Sequence, residues 1–137
     1  MALVAKELDR RQRTNRLRAY RPYAKQKAYH AITARECLFI AGNQLGKTLA
    51  GAAEMAMHLT GEYPDWWEGH RFARPITALA GSESYELTRD GVQRLLVGPP
   101  ASEEDWGTGM IPLRAIAERT RRMGVSNALD SVTVRHV

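Results

Sequence analysis

An α/β fold with a mainly parallel sheet, sandwiched between helices in three αβα layers, is what this chain predicts. Three observations predict it. An apolar run, Cys37–Ala41, enters a small loop that ends in Gly46-Lys47-Thr48. A segment of strong helix formers, Leu49–Leu59, follows at once. Further apolar runs, 75–81 and 130–137, alternate with helical stretches, the pattern of strands that pair in parallel beneath covering helices.

The elements follow in order. Residues 3–18 read as a polar helix with a thin apolar stripe, broken by Pro22. Tyr23 to Thr33 reads as a second helix, and 37–41 as the first strand. The helix after the loop spans 47–60, with Gly61 as its stop. Residues 62–72 are a turn-rich connection carrying Trp66 and Trp67, and 75–81 form strand two. Ser82 caps a helix with Glu86 in its first turn, running to Leu96 and closed by Gly98-Pro99-Pro100. After a loop at 101–110, Pro112 opens a short helix to Met123, and Asp130–Val137 alternates as a third strand.

The loop is where the chemistry concentrates. The first N–H groups of a helix lack intrahelical partners, and the helix dipole adds positive potential there. At Gly46 the backbone can approach an anion without a Cβ in the way. Lys47 is placed to reach the β- and γ-phosphates of a nucleotide, and the Thr48 hydroxyl to meet Mg²⁺. Gly42, Asn43, Gln44 and Leu45 complete the cradle. This is a P-loop, or Walker A, arrangement for ATP with Mg²⁺, except that Ala41 stands where the loop's first glycine belongs; Gly42 follows it. One helix upstream, Tyr23 and Gln26 form an aromatic and an amide that could stack on adenine and pair with its edges, though a glutamine is more commonly a plain surface residue.

Composition narrows the remaining choices. The 137 residues fit one domain with a real core. A lone cysteine, Cys37, excludes an internal disulfide and reads as inert packing in its strand. No apolar run approaches membrane-spanning length and no apolar signal core follows Met1, so a cytosolic protein is expected. The net charge of +5 is an N-terminal property: residues 1–35 hold ten Lys/Arg against two acids, whereas 36–137 hold ten against thirteen. Arg10, Arg11, Arg13, Arg16, Arg18 and Arg21 suit a polyanion such as DNA, or simply a solvated helix face. Trp66 and Trp67 suit packing on the core more than base stacking. His30, His58, His70 and His136 show no metal-ligand spacing, and no nucleophile elbow is present. Hydrolysis of ATP needs an acid at the end of a second apolar strand to hold the metal. None of the three runs ends in a suitable pair: 76–80 leads only to Gly81-Ser82-Glu83.

Four segments together carry a family resemblance. Gly42-Asn43-Gln44-Leu45-Gly46-Lys47-Thr48 resembles the Walker A variant of the large terminase subunits of tailed bacteriophages and prophages. Arg21–His30 is similar to the adenine-binding segment upstream of it, Tyr63–Phe72 to the connection after the loop helix, and Ala128–Val134 to the strand before the Walker B region. The resemblance runs from about residue 20 to the end.

It implies a motor that spends ATP to drive viral DNA through a portal protein into a capsid, in the host cytoplasm. An N-terminal P-loop ATPase domain supplies the force, a metal-dependent nuclease domain of the RNase H type cuts the DNA, and a small terminase subunit selects it. The implied divisions are a basic helical segment, 1–20, and a partial ATPase domain, 21–137. It implies phosphate and Mg²⁺ roles for Gly46, Lys47 and Thr48, and an adenine role for Gln26. Some relatives carry an arginine at the position of Asn43, which cannot supply that charge. The Walker B acids, coupling motif and nuclease domain lie outside the resemblance. The expectation is a truncated ATPase domain that binds nucleotide without hydrolysing it, with an incomplete sheet that leaves apolar edges and favours self-association. The competing readings are a non-enzymatic remnant that holds DNA or a partner, and a different P-loop enzyme such as a helicase or small-molecule kinase.

Overall fold

The computed structural model describes residues 1–42 and 46–137. Its order is α1 (Ala2–Arg13), α2 (Arg16–Ala19), α3 (Ala24–His30), α4 (Lys47–Thr60), α5 (Tyr85–Leu87), a π-helical stretch (Thr88–Gln93), α6 (Arg94–Leu96), two 3₁₀ turns (Glu103–Asp105 and Leu113–Ala115), then β1 (Ile116–Arg121) and β2 (Leu129–Val134). It is a mixed α/β structure, as expected, organised around α4.

The composition of α4 explains its central place. Ala50, Ala53, Ala56 and Met57 are fully buried, and the small alanines let neighbours approach closely. Leu17, Tyr20, Trp67, Met110, Ile111 and Ala115 close over this face. Gly61 ends the helix at φ +73°, the left-handed stop foreseen for it. Thr60 bonds back to the Ala56 carbonyl at 2.7 Å, and its own carbonyl accepts the Val137 N–H at 2.9 Å. The chain's C-terminal residues are thereby pinned to the end of α4.

The sheet corrects the sequence reading. Among the described residues it has two strands, antiparallel, with Ile116 opposite Val134, Arg119 opposite Val132 and Arg121 opposite Leu129. The helix expected over Pro112–Met123 is a 3₁₀ turn running into β1, because the hairpin offers that segment a partner. Its turn adopts positive φ at Gly124 (+84°) and Asn127 (+57°), residue types that tolerate it. Gln93 fastens the hairpin to the helical layer: its amide donates to the Asn127 carbonyl at 2.9 Å and accepts from the Leu129 N–H at 2.8 Å.

The strands expected at 37–41 and 75–81 are not formed; neither segment joins a ladder. A strand is stabilised by its neighbours, and β-branched or apolar composition does not substitute for them. Leu38, Ile40 and Leu79 consequently stand at least four-fifths exposed. Cys37 is exposed as well, not packed as its apolar surroundings suggested. The helix expected over 82–96 is present but begins at Tyr85, with Ser84 rather than Ser82 as its cap, its hydroxyl accepting from the Leu87 N–H at 3.2 Å.

Candidate functional site

The site forms where the N-termini of α3 and α4 meet. Gly46 precedes α4 in the left-handed conformation, φ +73°. A Cβ there would lie 2.6 Å from Nε2 of Gln26, so a side chain would strain the backbone and displace that amide. Gln26 is buried, and both ends of its amide are used. Nε2 donates to the Gly46 carbonyl at 3.1 Å, and Oε1 accepts from the Tyr23 N–H at 2.8 Å, capping α3. One side chain thus ties the head of α3 to the head of α4.

Lys47, the first residue of α4, turns back over the loop. Its ammonium donates to the carbonyls of Ala41 at 2.5 Å and Gly42 at 2.7 Å. That closes a ring from residue 41 round to the start of the helix. Thr48 is exposed beside it, and the Tyr23 ring is 78% exposed at the edge of the same region. Of the sequence-derived site residues, Tyr23, Gln26, Gly42, Gly46, Lys47 and Thr48 therefore belong to one neighbourhood; Asn43, Gln44 and Leu45 lie outside the described residues.

A second polar constellation is centred about two turns further along α4, and most of it was not revealed by spacing. Glu54 on α4 accepts a hydrogen bond from Nδ1 of His30 at 2.7 Å, and His58 Nε2 approaches its other oxygen at 3.6 Å. His30 Nε2 lies 3.0 Å from the Tyr20 hydroxyl, and His58 Nδ1 lies 2.9 Å from the Tyr63 hydroxyl, which accepts from the Phe72 N–H at 2.9 Å. An ionised carboxylate only accepts, so the His30 nitrogen facing Glu54 carries the proton. The outer His30 nitrogen then accepts from the Tyr20 O–H. Burial, with the Glu54 charge, pushes Tyr20 up to about 12, which keeps it a donor. For Glu54 itself burial works upward, but the two histidines outweigh it and hold the carboxyl below its usual range.

Around this chain of bonds the aromatic rings close in. Trp66 and Trp67 lie 5.7 and 5.5 Å from the His30 ring, and Trp67 Nε1 donates to the His70 carbonyl at 3.1 Å. The pair packs the 62–72 connection onto the core, in line with the packing use favoured for it. Glu54 and His58 are four apart on one helix, a neighbour relation legible in sequence; the approach of His30 from α3 is not.

Among the described residues no cluster of three His, Cys, Asp or Glu could hold a metal ion. Thr48 offers one hydroxyl, a single ligand, and fits Mg²⁺ only beside ligands that a bound phosphate brings. Among them, too, no helix is long and apolar enough to cross a membrane.

Comparison with known proteins gives the relationship. The family model for the N-terminal part of the terminase large subunit, T4likevirus-type, matches residues 38–131. The terminase large subunit of Salmonella phage P22 is 33% identical over a 149-residue alignment that covers 97% of this chain and 30% of the relative. The chain thus spans under a third of that relative's length. No solved structure gives a significant match. The match over most of its residues, loop included, makes this chain a member of the terminase large subunit family.

Proposed function

We propose that this chain is the ATP-binding portion of a viral DNA-packaging motor. The observation that carries the reading is the ring closed by Lys47 over the Ala41 and Gly42 carbonyls, with Gly46 in the left-handed conformation at the head of α4. That arrangement stations a cation and unpaired helical N–H groups on one small loop, the requirement for a phosphate cradle. Lys47 and the loop from Gly42 would hold the phosphates, Thr48 would give Mg²⁺ its one protein ligand, and the exposed Tyr23 ring would stack on adenine beside Gln26. Bound Mg²⁺ would neutralise phosphate charge. This chain's own residues bind and orient; the acid that would hold the metal and place a water for hydrolysis is not among those of the site.

The same reading accounts for the unpaired apolar segments. Residues 37–41 and 75–81 would be strands of a parallel, three-layered P-loop sheet, and would pair only where that sheet is complete. In that setting the motor's partners are duplex DNA, a portal protein and a small terminase subunit, met in the bacterial host's cytoplasm.

The test is titration of the chain with a fluorescent ATP analogue in the presence of Mg²⁺. Lys47→Ala removes a charged donor worth about 1.5–3 kcal/mol, so affinity should fall by about tenfold or more. Lys25→Ala, on the exposed side of α3, should leave it unchanged. Equal affinity for the Lys47 variant and the wild type would remove the nucleotide reading.

A further inference from the structure

Away from the loop, α1, α2 and the Leu113–Arg114 turn enclose a groove of about 660 Å³. Arg10, Arg11, Arg18, Arg21 and Arg114 line it, and neither an acid nor an aromatic side chain does. The Leu113 N–H donates to the Thr14 carbonyl at 3.1 Å, which fixes the turn against the helices.

The charges are only partly neutralised. Arg10 and Arg11 share the single carboxylate of Glu7, and Arg114 is matched by Glu62. Among the described residues no acid pairs with Arg18 or Arg21; Arg21 donates to the carbonyls of Arg18 and Tyr20. About three net positive charges therefore face one concave surface, where the potential is focused.

We infer that this groove binds the phosphodiester backbone of duplex DNA, without reading sequence. Guanidinium forks match phosphate oxygens. Single strands are held by aromatic platforms under their bases, and this lining has none. A duplex keeps its bases inside and presents phosphates alone, which is what five arginines can use. The inference deepens the packaging reading and rests on it for the source of the duplex, while the nucleotide loop takes no part in its geometry.

The experiment is fluorescence anisotropy with a labelled mixed-sequence DNA duplex of about 20 base pairs, over about 50–200 mM salt. With about three phosphates neutralised, log Kd against log salt should have a slope near 3, a loss of about 40-fold across that range. Arg18→Glu should weaken low-salt binding by about tenfold and lower the slope by at least about one. Should that variant unfold, Arg18→Gln removes the charge alone and must still lower the slope by about one. Arg119→Gln, on the hairpin, should change neither. The ATP analogue, titrated in parallel, should bind Arg18→Glu normally, and the duplex should bind Lys47→Ala normally, so the two readings fail separately. Tighter binding of single-stranded DNA or of an RNA duplex, capture of a polyglutamate peptide without any duplex binding, or an unchanged Arg18→Glu would each overturn it.

Discussion

Removing the Glu54 carboxylate should loosen the seam between α3 and α4 in a pH-dependent way. In Glu54→Ala the His30 Nδ1–H loses its 2.7 Å acceptor, and the ring is only 1% exposed, so the donor is left dry. A hydrogen bond to a charged group is worth about 1.5–3 kcal/mol, and an unmet buried donor forfeits most of that. The 3.6 Å approach of His58 adds little, being beyond hydrogen-bond length. The Glu54 side chain is 21% exposed, so water partly fills the gap it leaves. The balance is a destabilisation of about 2 kcal/mol at neutral pH. Because the folded carboxyl sits below its ordinary value of 4.5, its contribution is complete above that pH and lost as pH falls through the lower folded value. The gap between wild type and variant should therefore narrow on acidification below 4.5. Urea unfolding followed by the fluorescence of Trp66 and Trp67, which flank His30, measures it directly. A difference under about 0.5 kcal/mol at neutral pH would refute the reasoning. So would a gap that widens in acid.

Two further substitutions probe the same framework. Gln26→Ala deletes two side-chain bonds to backbone, at about 1 kcal/mol each, and should lower both the urea midpoint and ATP-analogue affinity; an unaffected affinity would detach α3 from the loop. Gly61→Ala forces a side chain into φ +73° with its Cβ 2.6 Å from the His136 ring, so unfolding should become easier by about 1–2 kcal/mol without altering nucleotide binding. A neutral result in the melt would mean that the C-terminal residues are not held against α4.

What the sequence made legible was local. The bounds of α4 and the left-handed Gly61 follow from helix-forming composition and one stop signal, both read within a few residues. The neighbourhood of Tyr23, Gln26 and Lys47 was legible as types and spacing, but not the use of Gln26. Its two amide ends bind backbone on separate helices, twenty residues apart at Gly46, and no one-dimensional pattern encodes that. The parallel sheet failed for a related reason. Apolar runs at 37–41 and 75–81 declare a preference for pleated surroundings, yet only a partner realises it. The expected 112–123 helix rests on Pro112 at a first turn, whereas Gly124 and Asn127, both at positive φ, make the segment a hairpin. The Glu54 network joins four segments, and only its Glu54–His58 edge was written in sequence spacing.

The bare thiol of Cys37 has a practical use. It is the chain's single cysteine, it is exposed, and it precedes the Lys47 ring by only a few residues. Maleimide chemistry would attach one dye per molecule there with no background to engineer away. Phe39, two residues on, stacks at 4.8 Å on Tyr29 of α3, so a reporter at Cys37 would be anchored rather than trailing. Its emission would turn occupancy of the adjacent loop into an optical signal, readable in a stopped-flow cell at concentrations low enough to keep the molecules apart.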